Sequence, residues 1–148
     1  MRMRRTSKTM GIIATIAYAI MIIVNVMANA LPINGLNTGE VSDSFPNLFA
    51  PAGITFAIWA VIYLLLAIYL FFQFVNSREL ESKNNRVLNR INLLFIISSI
   101  ANAVWIFAWH YLKIGVSVLL MLVIFASLMT IVLTIENLIL TKKEKFWL

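Results

Sequence analysis

The chain alternates long apolar stretches with short polar segments. Four stretches contain no charged side chain: residues 9–39, 44–77, 91–112 and 114–135. Each exceeds the roughly 20 residues that a helix needs to cross a bilayer. A transmembrane barrel would instead show strands of about 10 residues with alternating polarity. The pattern predicts an all-α polytopic membrane protein, a single domain over residues 1–148, with spans at 10–31, 51–75, 91–112 and 114–140.

Composition supports this interpretation. Of the 148 residues, 61% are hydrophobic and 12% are charged, whereas an ordinary soluble domain has about 45–50% apolar and about 25% charged residues. The net charge of +6 does not indicate a nucleic-acid partner, because the basic residues lie at the ends of the spans, where a cytoplasmic membrane face explains them. The absence of cysteine excludes disulfides, thiolate nucleophiles and zinc–thiolate sites.

The distribution of lysine and arginine predicts the orientation. Eleven of the twelve basic residues precede span one, lie between spans two and three, or follow span four, and only Lys113 lies on the other side. The excess of positive charge marks the cytoplasmic face. We therefore expect both termini of this chain and the loop 76–90 to be cytoplasmic, and the loop 32–50 to face outward. The membrane is expected to be a bacterial plasma membrane.

Polar and aromatic side chains recur at helical spacing within every span. In lipid, an amide or hydroxyl gains most by facing other helices, so this periodicity indicates the interior of a bundle. In span four, the simpler interpretation is that these groups only pack helices together. The residues are Thr15, Tyr18, Asn25 and Asn29 in span one, Thr55, Trp59 and Tyr63 in span two, Ser98, Asn102, Trp105 and Trp109 in span three, and Ser127, Thr130, Thr134 and Asn137 in span four.

Five of these side chains are predicted to lie at a similar depth. At the helical rise, Trp59 and Tyr63 lie roughly 12 and 18 Å below the outer end of span two. Trp105 and Asn102 lie roughly 10 and 15 Å below the outer end of span three, and Asn25 roughly 9 Å below that of span one. Trp59 and Trp105 are too deep for the interfacial aromatic belt. Large aromatic rings with a few convergent polar groups are typical of a site for a flat, apolar ligand.

The same residues carry a family resemblance. The segment FAPAGITFAIWAVIY at 49–63, followed in span three by Asn102-x-x-Trp105-x-x-x-Trp109, resembles the TspO/MBR family of tryptophan-rich sensory proteins, which includes the mitochondrial translocator protein. The resemblance covers residues 45–140. It implies a five-helix bundle, often dimeric, with a pocket for porphyrins or haem that the first loop caps.

Carried over by position, the resemblance assigns ligand-binding and lid residues. The sequence departs from the family pattern in two respects. Where typical members carry tryptophan beside paired prolines, this chain has phenylalanine, which indicates a divergent branch. The chain also ends where the family's fifth helix would begin, so we expect truncation before that helix. The assigned ligand-binding residues are Trp59, Tyr63, Asn102, Trp105 and Trp109, joined by Asn25 on depth, and the lid residues are Phe45, Phe49 and Pro51.

These observations predict a non-enzymatic receptor or carrier for a planar hydrophobic ligand, with a porphyrin or haem as the expected tetrapyrrole. The expected partners are membrane lipid, the small molecule and a second copy of the chain. No cofactor is required, and no catalytic set or metal site is predicted, because the lone histidine, His110, is better suited to hydrogen bonding at the interface than to ligation. Two alternatives stay open: a permease-like subunit whose polar stripes only pack helices, and a porphyrin-degrading enzyme.

Overall fold

The computed structural model describes the backbone of residues 3–31, 33–45, 53–75 and 77–146, and the side chains of residues 8–31, 33–45, 54–75 and 85–137. Over these residues all regular structure is helical. The elements are α1 (Met3–Ala30), a 3-10 helix (Ile33–Gly35), α2 (Thr38–Asp43), a second 3-10 helix (Gly53–Ala57), α3 (Ile58–Val75), α4 (Ser77–His110) and α5 (Ile114–Phe146).

Four helical segments are long and apolar enough to cross a membrane. They are Lys8–Ala30, Ile54–Val75, Asn85–His110 and Ile114–Asn137. The predicted fold class, a polytopic helical membrane protein, is confirmed. Helix α4 begins at Ser77, because the polar but helix-compatible segment 76–90 continues into the third span without a breaking residue.

Helix α4 is the centre of the bundle. It packs along α1 on one side and α5 on the other, and these are the two most extensive helix contacts. Within an apolar 18-residue stretch of its membrane-length segment 56% is buried, against 6% for such a stretch of the segment that contains α3 and 11% for that of α5. Because α3 is held by so little apolar packing, the side chains that tie it to α1 and α4 matter more than they would in a tightly packed helix.

Buried apolar side chains form two clusters along α4. One contains Ala28, Ala101, Trp105, Ile106 and Ile124, with Trp59 and Trp109 packed against it. The other contains Ala14, Leu70 and Phe95 and lies nearer the end of the bundle where α1 begins. Small alanines on α1 and α4 allow close approach of the two backbones, as is usual where membrane helices cross.

The turn between α4 and α5 is a Schellman motif. The amide of Leu112 donates to the carbonyl of Trp109 at 3.0 Å, and the amide of Lys113 donates to that of Ala108 at 2.8 Å. Leu112 has φ 56°, the left-handed conformation that glycine usually supplies at this position. The motif ends α4 and starts α5 within three residues, which enforces the predicted antiparallel pair.

The described part of the first loop is more ordered than the sequence analysis expected. Residues 33–45, which we call the lid segment, contain α2, whose N-cap is Asn37. The Asn37 side chain accepts hydrogen bonds from the amides of Gly39 and Glu40, and Glu40 Oε2 accepts from the Asn37 amide at 2.7 Å. This reciprocal capping box fixes a helix where a loop with only a turn was predicted.

Candidate functional site

Three side chains from three different helices meet in what we call the polar trio: Asn25 of α1, Tyr63 of α3 and Asn102 of α4. Asn25 Nδ2 donates to Asn102 Oδ1 at 2.7 Å. Tyr63 Oη lies 2.7 Å from Asn25 Oδ1 and 3.2 Å from Asn102 Oδ1, and its single proton can bond only one of them at a time. The structure thus brings these side chains together, as their predicted depths suggested.

A further hydrogen bond ties α1 to α3. Tyr18 Oη donates to the backbone carbonyl of Tyr63 at 2.9 Å. A carbonyl in mid-helix has a second lone pair, so it accepts this bond without losing its helical partner. With the polar trio, the bond compensates for the small apolar contact of α3.

Next to the polar trio, four rings form an aromatic ladder between α3 and α4: Tyr63, Trp59, Trp105 and Trp109. Successive ring centroids lie 5.8, 5.3 and 6.0 Å apart, with interplanar angles of 28°, 33° and 20°. These are favourable offset geometries for aromatic pairs. The rings of Trp59 and Trp105 therefore pack against each other between α3 and α4.

Trp105 has a polar atom without a partner. The residue is 3% exposed, and within the described part of the chain its Nε1 finds no hydrogen-bond acceptor. An indole N–H only donates, and leaving it buried and unpaired costs about 1–3 kcal/mol.

A cavity of about 850 Å³ lies between α1, the lid segment and α3, with Trp105 of α4 at its wall. This volume lies within the range of about 300–1,000 Å³ that is typical of ligand sites. Its α1 and α3 walls are mainly apolar and aromatic, and its lid wall is polar. The lining residues are Ile22, Asn25, Val26, Asn29, Ala30, Asn37, Thr38, Gly39, Glu40, Asp43, Phe56, Ala57, Trp59, Ala60, Tyr63 and Trp105.

The lid segment is fastened to the end of α4 by side-chain hydrogen bonds. Trp109 Nε1 donates to the Thr38 carbonyl at 3.1 Å. His110 is 1% exposed, and its Nδ1 lies 3.1 Å from the Ile33 carbonyl, which can only accept. Nδ1 is therefore a donor to this carbonyl, and Nε2 lies 3.2 Å from Thr38 Oγ1, a hydroxyl that can either donate or accept. Asn34 Nδ2 adds a bond to the His110 carbonyl.

Four of the six ligand-binding residues predicted from the sequence line the cavity: Asn25, Trp59, Tyr63 and Trp105. The other two do not line it. Asn102 lies behind the wall, where it holds Asn25 and Tyr63 in place, and Trp109 lies behind Trp105, where it binds the lid segment.

The predicted lid residues have different outcomes. Phe45 packs on Trp109 with ring centroids 6.4 Å apart and does not line the cavity. Phe49 and Pro51 lie outside the described residues. Phe56, which the sequence analysis quoted only as part of a motif, both lines the cavity and packs on Trp109 at 6.0 Å.

The two acidic residues of the cavity wall, Glu40 and Asp43, were not predicted as site residues. The Asn37-x-x-Glu40 spacing is a capping-box signature that predicts a helix start, and on such a helix residues 40 and 43 share one face. That signal was present in the sequence.

Three polar residues of α5 differ from the simpler interpretation of span four, in which they hold helices together. The hydroxyls of Ser127, Thr130 and Thr134 each donate to a carbonyl four residues earlier in their own helix. They are satisfied locally, so they neither join helices nor point to a binding site.

Taken together, the fold and site define a helical membrane protein with an aromatic cavity between its helices and a lid segment across one end. The chain belongs to the TSPO-like protein family, whose model matches residues 11–148. This match confirms the resemblance to the TspO/MBR family. No curated protein and no solved structure matches the chain significantly.

Proposed function

We propose that the protein is a membrane receptor or carrier that binds a planar hydrophobic molecule in the cavity, with a tetrapyrrole as the leading candidate. The observation that carries the proposal is the convergence of Trp59, Tyr63 and Trp105 on one cavity of about 850 Å³. Flat rings supply a large contact area for a flat ligand at little cost in conformational entropy.

The polar groups of the wall favour binding over catalysis. Among the described lining residues are amides, the hydroxyls of Thr38 and Tyr63, and two carboxylates, with no histidine. His110 does not line the cavity, and both its ring nitrogens have partners. The described lining residues thus include no histidine beside a hydroxyl, which is a common nucleophile and base arrangement of acyl transfer.

The experiment is a titration of the detergent-solubilised protein with protoporphyrin IX, followed by the shift of the porphyrin absorbance band. We expect saturable binding to the native chain and at least a tenfold weaker affinity after joint Trp59→Ala and Trp105→Ala substitution, since both rings would be lost. Phe71→Ala is the matched control, because Phe71 is on α3 but 72% exposed and outside the cavity wall. Equal binding by the double variant would refute the proposed location of the site.

We also propose that the lid segment faces outward and the N-terminus inward in a bacterial plasma membrane, and that two copies associate. The charge distribution supports the orientation. Because the chain has no cysteine, Lys113→Cys and Lys8→Cys each give a unique label site. An impermeant maleimide on intact cells should label only the first, and labelling of the second alone would reverse the orientation. Cross-linking in membranes tests the dimer.

A further inference from the structure

The charged residues of the cavity wall all have one sign. Glu40 and Asp43 are its two ionisable carboxylates, and neither lysine, arginine nor histidine is among its described residues. The first loop, residues 32–50, contains no basic residue that could neutralise them. A ligand in this cavity therefore meets negative charge at the polar lid wall. Elsewhere it meets apolar or aromatic surface.

These carboxylates are held in place by the fold. Glu40 Oε2 accepts the Asn37 amide in the capping box, which leaves its other oxygen free of that bond. Asp43 follows at i+3 and so lies on the same face of α2, while Val41 and Ser42 are buried on the opposite side. Since α2 is bound to α4 through Thr38, the backbone positions of Glu40 and Asp43 are fixed relative to the cavity.

The position of Asp43 is not explained by helix stability. It lies in the last turn of α2, where the carbonyl ends already carry partial negative charge and where a basic residue would be favoured.

We infer that the cavity selects cationic planar amphiphiles over neutral ones, and both over ligands that bear carboxylates. This inference rests on the proposed function and specifies its ligand class. Among tetrapyrroles, it favours esterified or amine-bearing forms over free dicarboxylic acids, because the acidic groups of the latter would lie against Glu40 and Asp43.

The test compares three porphyrins that share one macrocycle: protoporphyrin IX, its dimethyl ester and a bis-amide with two ammonium-ended chains. Each is titrated in non-ionic detergent against the native chain, with protein-free micelles to correct for partition. We expect the dication to bind about tenfold more tightly than the diacid at low salt, since each exposed charge pair contributes up to about 1 kcal/mol. At high salt the difference should shrink, because these charges are screened.

The control variants test whether the charges of Glu40 and Asp43 cause the order of the affinities. Glu40→Gln with Asp43→Asn keeps the shape and the capping acceptor, and the order of the three affinities should then disappear. Glu136→Gln, on the exposed face of α5 outside the cavity wall, should leave the order unchanged. Equal affinities, or tightest binding of the diacid, would overturn the inference and leave the proposed function intact. Failure of all three porphyrins to bind would instead refute the proposed function.

Discussion

The hydrogen bonds of the polar trio should be worth a measurable part of the stability of the protein. Replacing Tyr63 with Phe removes the 2.7 Å bond to Asn25 and leaves Asn25 Oδ1 buried without that donor. We expect the free energy of unfolding to fall by about 1–2 kcal/mol. Asn25→Leu removes the bonds to both Tyr63 and Asn102, and we expect a loss of about 2 kcal/mol.

The double variant distinguishes a shared network from two separate bonds. After Asn25→Leu, Tyr63 can still donate to Asn102, which lies 3.2 Å away, so part of its contribution survives. Interhelical hydrogen bonds in membranes average about 0.6 kcal/mol and reach about 1.7 kcal/mol in double-mutant cycles. We expect a coupling of about 1 kcal/mol between Asn25 and Tyr63, near the upper part of that range, because α3 has little other packing.

Unfolding in mixed micelles with increasing dodecyl sulfate measures these energies. Near-UV circular dichroism of the Trp59–Trp105 ring pair reports the separation of α3 from α4. Thr134→Val is the matched control, since its hydroxyl bonds only its own helix, and it should change the stability little. A coupling below about 0.3 kcal/mol, the scatter of independent sites, would refute the network.

Three further predictions concern the helix ends and the buried polar groups. Leu112→Gly should raise the free energy of unfolding by about 0.5–1 kcal/mol, because glycine adopts the left-handed conformation of the Schellman turn without strain. His110→Ala should speed amide hydrogen exchange in the lid segment about tenfold, since it removes the bonds to Ile33 and Thr38. Asn92→Leu should raise the stability by about 1 kcal/mol, because Asn92 is fully buried and its amide atoms have no partner among the described residues.

The first two of these predictions have a matched control variant, and the third has an outcome that would contradict it. Leu112→Ala retains the strained backbone and should bring no gain, so equal stabilisation by alanine and glycine would contradict the strain argument. Tyr111→Ala, next to His110 but exposed, should leave lid exchange unchanged, and an equal effect would show that the histidine does not fasten the lid. A loss of stability for Asn92→Leu would mean that water or another group satisfies the amide.

The sequence alone determined the number, type and approximate position of the spans. Long uncharged stretches are stable in hydrocarbon only as helices, because every backbone polar group must be satisfied within the segment. Depth arithmetic along those helices was enough to place Asn25, Trp59, Tyr63 and Trp105 in the outer half of the bilayer. The capping-box spacing of Asn37 and Glu40 also predicts the start of α2, although this signal was overlooked.

Only the tertiary structure decided which of these side chains line the cavity and which support it. Asn102 and Trp109 have the same chemistry and helical spacing as the lining residues, yet they are rotated behind the wall, where one holds the polar trio and the other binds the lid segment. Depth fixes position along a helix axis but not rotation about it, and rotation depends on how α1, α3 and α4 pack. The acidic wall of the cavity also depends on that packing, because Glu40 and Asp43 reach it only through a lid segment anchored to residues more than 60 positions away.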